Sequence, residues 1–227
     1  MPKNKKFKQK LPNELIHIPN VSKKSHEKWY KGRNIANFPR PYRLINCGSV
    51  NSSKTNTAKN VILRAYPRFD DIYLVHISPT DAEWDDIGIT EKLDHIPDES
   101  FFDPDGKTLI IIEDMEFKEN DYNLSALFRY ISTHKNVSVI LNYQSFIHIP
   151  RIARRLANVY NLWEDPDKAS QAMVEKRVGL DKGELQHMFD TLKKHRRDFI
   201  TIDKTDNSPA PMRFNLFSPI RKQLVPE

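Results

Sequence analysis

The chain is 227 residues long, with 36 Lys and Arg against 30 Asp and Glu, a formal net charge of +6 and 38% apolar residues. That length holds one sizeable α/β domain with room for terminal extensions, and a pI near 9.2 favours an acidic partner, nucleic acid first. Cys47 is the sole cysteine, which excludes an intrachain disulfide and a cysteine zinc site; the histidines form no His-x3-His pair, and no apolar run is long enough to cross a bilayer.

Residues 1–33 are rich in Lys, Asn, Ser and Pro and carry little apolar periodicity, so they read as a basic arm with a short ordered piece at Glu27, Trp29 and Tyr30. The opening MPKNKKFKQK has no apolar segment behind it and does not read as a secretory signal, so the expectation is a soluble protein at work inside a cell. Lys3, Lys5, Lys6, Lys8 and Lys10 suit an anchor on DNA or on a capsid, and equally an arm that is merely well solvated.

Pro39 and Pro41 hold the entry to the fold extended, and Tyr42 to Asn46 reads as a strand. From Lys54 to about Ala65, the residues Ala58, Val61, Ile62 and Ala65 fall on one helical face. Asp71 to Ser78 reads as a second strand, and the acidic, Pro-containing stretch from Pro79 to Gly106 as loops and short turns. TLIIIEDM is a continuous apolar run bounded by turn signals, the pattern of a strand covered on both sides, as in a parallel sheet. A helix over Leu124–His134, a buried strand over Val137–Ser145, a basic helix RIARRLAN after Pro150 and a strand over Val159–Trp163 follow. Two helices are expected near Lys168–Arg177 and Lys182–His195, then the strand-like DFITID and a Pro-containing tail. Strands separated by helices imply β-α-β crossovers and a three-layer α/β/α domain over residues 34–205, with the mainly parallel sheet in the middle and a tail over 206–227.

INCGSVNSSKTNT is the stretch that carries chemistry. It leaves a strand through Gly48, passes Ser49, Val50, Asn51, Ser52 and Ser53, and reaches Lys54 and Thr55 as a helix opens. A phosphate-binding loop aims successive backbone N–H groups and a helix N-terminus at one anion. Here Lys54 would reach the β- and γ-phosphates and Thr55 would coordinate Mg²⁺; the match to G-x-x-x-x-G-K-[ST] is complete except at Ser53. On its own the loop fits a Ser/Asn-rich turn capping a helix equally well.

A second element tips that balance. IIIEDM places Glu113 and Asp114 at the C-terminal end of a buried strand, the edge at which the loop opens in a parallel sheet. Glu113 can hold the metal through water, and Asp114 can orient or deprotonate an attacking water. A third element, VILNYQS, puts Asn142 and Gln144 at that same edge, where an amide can report the γ-phosphate.

These segments, PYRLINCGSVNSSKT, LIIIEDM, VILNYQS and PRIARRLANVYNLW, together resemble the viral genome-packaging ATPases of the FtsK/HerA class over roughly Phe38 to Trp163. The resemblance implies a RecA-like P-loop fold with the Gln144 strand between the phosphate-loop and acidic strands. It implies ATP and Mg²⁺ as cofactors and a homo-oligomeric ring, usually a hexamer, that drives double-stranded DNA into a preformed capsid at its portal vertex. It also implies a catalytic Asp114, a γ-phosphate sensor in Gln144, and an arginine reaching the neighbouring subunit's nucleotide. Arg155 is favoured for that arginine, with Arg151 and Arg154 on the same helical face. The setting would be the host cell, the virion or both.

The sequence departs from that family at Ser53, which replaces glycine, and at Glu113–Asp114, where aspartate more often comes first. Two rival readings follow: a nucleic-acid-binding or virion-scaffold protein on a degenerate ATPase fold, and a helicase with the same core. The basic run Leu192–Asp198 reads either as a lining for a DNA channel or as the solvated end of a helix.

Overall fold

In a computed structural model of the chain, residues 38–78, 82–206 and 208–220 are described. The N-terminal arm, with its lysines and the Glu27–Tyr30 piece, lies outside them. The described residues build one nine-stranded sheet in the order β3-β2-β4-β5-β1-β6-β7-β8-β9. The strands are β1 (Arg43–Cys47), β2 (Asp71–His76), β3 (Glu91–Leu93), β4 (Thr108–Glu113), β5 (Val137–Tyr143), β6 (Val159–Trp163), β7 (Phe199–Asp203), β8 (Met212–Phe214) and β9 (Ser218–Pro219). From β3 through β6 every pairing is parallel, and β7, β8 and β9 add an antiparallel flank. The sheet is mainly parallel, and β5 lies between β1 and β4, as the resemblance implied.

The apolar runs explain the layering. Each residue of β4 is buried, because helices cover both faces of the central strands. One face packs Ile45, Ile110, Val139 and Tyr160 against α2 (Tyr122–Ala126), a π-helical turn at Leu127–Ile131, α4 (Arg151–Leu156), α5 (Lys168–Val178) and α6 (Glu184–Leu192). A short α3 (Ser132–His134) completes the interrupted helix. The opposite face packs Leu44, Leu74, Leu109, Ile111, Ile140 and Val159 against Ala58, Val61 and Ile62 of α1 (Lys54–Leu63) and against Trp84 and Ile87. Residues two apart on a strand share a face. Leu44 with Asn46, Ile111 with Glu113, and Ile140 with Asn142 therefore all look toward α1.

Two expectations are corrected. The stretch read as loops and turns holds a 3₁₀ segment over Ala82–Ile87 and the edge strand β3. That strand is too short and polar to show alternation, and pairing of Tyr73 with Glu91 through Val75 with Leu93 creates it. The basic helix expected over RIARRLAN stops short of Asn158: α4 ends at Leu156, and the Asn158 side chain accepts the Arg43 N–H at 2.8 Å. Beyond β7, Met212–Phe214 and Ser218–Pro219 join the sheet as β8 and β9. Arg213 of β8 is fully buried and donates to Asp203 Oδ2 of β7 at 2.6 Å, which anchors the flank.

Candidate nucleotide site

The loop from Gly48 to Ser53 joins β1 to α1 at the C-terminal edge of the parallel strands. Gly48 donates its N–H to Tyr143 O of β5 at 3.1 Å, which pins the loop to the neighbouring strand. A Cβ at Gly48 would lie 2.7 Å from Trp163 Cβ and 2.9 Å from Ser52 Oγ, so the chain passes too close to β6 for any side chain. Ser53 sits in the left-handed region at φ 77°, the conformation glycine supplies without cost and serine adopts at on the order of 1–3 kcal/mol. Serine thus stands where the phosphate-loop pattern has glycine, and the backbone keeps a glycine-like shape.

Lys54 turns back over the loop. Its ammonium donates to Gly48 O at 2.8 Å and Ser49 O at 2.9 Å, which leaves one of its three donors for a ligand. Burial lowers its pKa below the ordinary lysine value, and the nearby Cys47, Glu113 and Asp114 oppose that shift.

Glu113 closes the site from β4. Its Oε1 accepts the Thr55 hydroxyl at 2.7 Å and the Asn142 amide at 2.8 Å, and its Oε2 accepts the Trp84 indole N–H at 2.6 Å. The carboxylate is buried, and these three donors satisfy a group that would be costly to bury unpaired. Asp114 behaves differently. Its φ of 51° swings the chain off the strand, and its exposed carboxylate comes within 3.6 Å of His76 Nε2. His76 is itself buried, with Nδ1 accepting the Ser78 N–H at 2.9 Å.

Asp114 and Gln144 line one cleft of about 660 Å³ together with Asn142, Tyr143, Ser145 and His148. The sequence-derived loop, acid pair and amide strand are therefore brought together. Asn142, rather than the exposed Gln144, is the amide that touches the buried acid.

The arginines are not part of this cluster. The Leu156 carbonyl at the end of α4 accepts Arg43 Nε at the start of β1, so Arg155 lies toward the edge of the sheet opposite the loop. Arg155 is exposed, Arg151 donates its backbone N–H to Glu119, and Arg154 packs against Met173.

Two contributions escaped the sequence reading. Trp84 comes from the stretch read as loops, where nothing but a lone aromatic among acids marked it. The basic run is a turn over the mouth of the loop: Arg196 donates to Val50 O at 3.2 Å, and Trp163 donates to Arg197 O at 3.0 Å. Asp198 holds that turn by accepting the N–H groups of Lys194 and His195, each at 2.8 Å. Lys194, His195, Arg196 and Arg197 are exposed there, while Lys193 pairs with Glu164.

No family model and no curated protein matches the sequence. Solved structures do match the fold. The genome packaging NTPase B204 from Sulfolobus turreted icosahedral virus 2 in complex with sulfate aligns at a TM-score of 0.55 and 16% identity, over 80% of this chain and 98% of that one. Its complex with ATP-gammaS aligns at 0.55 and 15% identity, over 83% and 100% of the two chains. B204, the DNA-packaging ATPase from Sulfolobus turreted icosahedral virus, aligns at 0.54 and 14% identity, over 78% and 97%.

Proposed function

We propose that the chain is an ATP- and Mg²⁺-dependent motor that moves double-stranded DNA into a viral capsid as a homo-oligomeric ring. The observation that carries the reading is the hydrogen bond from Thr55 of the loop to Glu113 of β4, with Asn142 on the same carboxylate oxygen. It joins the phosphate-loop hydroxyl to the acid of a separate strand at the edge where α/β sheets bind nucleotides. The fold's likeness to a packaging NTPase solved with AMPPCP and with ATP-gammaS supports the reading.

In this mechanism Lys54 and the backbone N–H groups from Ser49 to Thr55 bind the phosphates. The Thr55 hydroxyl and Glu113 carboxylate are hard oxygen donors of the kind Mg²⁺ takes beside phosphate oxygens and water, so the pair fits that ion. Bound there, Mg²⁺ would neutralise charge on the β- and γ-phosphate oxygens. Asp114, swung into the cleft, takes the proton of the attacking water, and Gln144 orients that water and senses the γ-phosphate. Arg155, placed away from its own loop, acts on a neighbouring subunit's phosphates, a role worth about 10³–10⁵ in rate where it occurs. The exposed cations at 194–197 grip DNA phosphates without reading bases.

The test is ATP hydrolysis with and without long duplex DNA, alongside a size measurement with and without nucleotide. DNA-stimulated hydrolysis that is lost in Lys54→Ala and Asp114→Asn is expected. No hydrolysis under any DNA condition ends the enzyme reading. The strained Ser53 motivates the second reading, a nucleic-acid-binding or virion-scaffold protein on a degenerate fold; DNA binding that ignores both nucleotide and Lys54→Ala would favour it. Strand separation without duplex translocation would indicate a helicase.

A further inference from the structure

A row of polar side chains crosses the sheet inside the apolar layer under α1. Thr201 Oγ1 donates to Asn161 Oδ1 at 2.7 Å, Asn161 Nδ2 to Asn46 Oδ1 at 2.8 Å, Asn46 Nδ2 to Asn142 Oδ1 at 2.7 Å, and Asn142 Nδ2 to Glu113 Oε1 at 2.8 Å. The five residues sit on adjacent strands β7, β6, β1, β5 and β4. Register pairs Thr201 with Asn161, Asn161 with Asn46, and Asn46 with Asn142, while Ile112 and Leu141 pair one residue before Glu113 and Asn142. Thr201, Asn161 and Asn46 are fully buried, Asn142 is 3% exposed and Glu113 is 6% exposed.

The row has a direction, and the carboxylate sets it. An ionised Glu113 can only accept, so Asn142 must present its NH₂ to it and its oxygen to Asn46. The same choice passes to Asn46 and then to Asn161, whose oxygen takes the Thr201 hydroxyl. Every amide dipole points its positive end toward Glu113, and aligned bonds in a water-free layer polarise one another. Three buried amides in the middle of apolar strands are costly unless paired, and ordinary packing would be met by Val or Leu at those positions.

We propose that Asn142, Asn46, Asn161 and Thr201 are positioning residues that act on Glu113 as one relay, fixing its rotamer and joining the nucleotide site to β7, about 19 Å away at four interstrand spacings. The relay sits just beyond the turn that carries Asp198 and the exposed cations at 194–197, so whatever displaces that turn on β7 bears on the acid through four hydrogen bonds. Its catalytic consequence rests on the proposed function; the geometric coupling does not.

The indole N–H of Trp84, bonded to Glu113 Oε2, is the reporter. In the ¹H–¹⁵N spectrum of the full chain without nucleotide, this signal is assigned by its loss in Trp84→Phe. Thr201→Val removes the donor at the far end and keeps the side-chain shape. The Trp84 indole signal is expected to move in Thr201→Val and to return in Thr201→Ser. Thr108→Val, a buried hydroxyl at the other end of Glu113's own strand and outside the row, is expected to leave it in place. Asn161→Ser, which breaks the row one strand nearer, is the second variant should Thr201→Val fold poorly, and it moves the signal in the same way. In the hydrolysis assay, kcat falls about 3- to 10-fold in Thr201→Val with KM for ATP within about twofold, as loss of an interaction made in the transition state requires. An unmoved Trp84 signal in both row variants, or an equal movement in Thr108→Val, overturns the relay. A moved signal in a chain that hydrolyses nothing upholds the relay and overturns the motor.

Discussion

Thr55 and Glu113 lie 58 positions apart in sequence, yet the threonine hydroxyl rests 2.7 Å from the carboxylate. The contact separates two roles for Glu113 that mutation can resolve. Glu113→Leu strands the buried Trp84 and Asn142 donors, at about 1–3 kcal/mol for each unpaired group. Glu113→Gln keeps the shape and removes the charge. Urea denaturation should show Glu113→Leu clearly less stable than Glu113→Gln, whereas under the proposed function both lose ATP hydrolysis by about 100-fold or more. Equal stability of the two would show that the three hydrogen bonds carry little of the local energy.

Ser53 is the place where the sequence and the backbone disagree. With φ at 77°, Ser53→Gly relieves strain, and the greater freedom of glycine in the unfolded chain offsets part of the gain. The expected net effect is a stabilisation of up to about 1 kcal/mol by urea denaturation, with nucleotide binding equal or tighter. Ser53→Val should move both measurements the other way, since a β-branched residue is poorly tolerated at positive φ.

The antiparallel flank hangs on a buried ion pair. Arg213 and Asp203 are both essentially inaccessible, and Asp203 Oδ2 also accepts the Ser208 hydroxyl at 2.8 Å. Removing one partner leaves the other charge buried, a loss of about 3–5 kcal/mol. Asp203→Ala should therefore unfold at a much lower denaturant concentration, and joint replacement of both residues by apolar ones should recover most of the difference.

Cys47 gives a pH signature. Burial first, then the nearby Asp165, push its thiol up from 9.0 to about 12, with Lys54 opposing. The folded chain keeps that proton through a range in which the unfolded chain has lost it. Stability contributed by the thiol is thus complete below about pH 9 and falls as pH rises from 9.0 toward about 12. Buried Tyr42, raised for the same reason, adds to the decline from its own ordinary value upward. Denaturation midpoints at pH 8 and above pH 10 should show the fall, reduced in Cys47→Ala. A thiol reagent should label the native protein far more slowly than the unfolded one.

The central strands were readable because TLIIIE and VSVILNY are nearly continuous apolar runs, and such runs form where both faces are covered. The candidate site was readable for a related reason: Glu113–Asp114 and Asn142 each stand where an apolar run stops, and Lys54–Thr55 follow the small-residue loop that leaves another. What stayed hidden depends on long-range pairing. β3 and β9 are made by their neighbours rather than by their own pattern, and nothing local marks Arg213 as a buried residue beside Asp203. Asn46 and Asn161 carried a signal in retrospect, as amides on the buried face of strands, but their partners are 96 and 115 residues away. The positive φ at Ser53 could be posed as a question from sequence and answered only by the backbone.

The clasp of Lys54 on the Gly48 and Ser49 carbonyls has a practical consequence. Because these two hydrogen bonds lie within the chain itself, the loop is a cradle whose shape is set by its own lysine, and a group held in place beforehand costs less ordering entropy when a guest binds. The same clasp makes alanine at that position an unclean knockout, since the cradle slackens as its charge disappears. Methionine, of similar length but unable to donate, would share that defect, whereas arginine could keep the carbonyls tethered while crowding the guest.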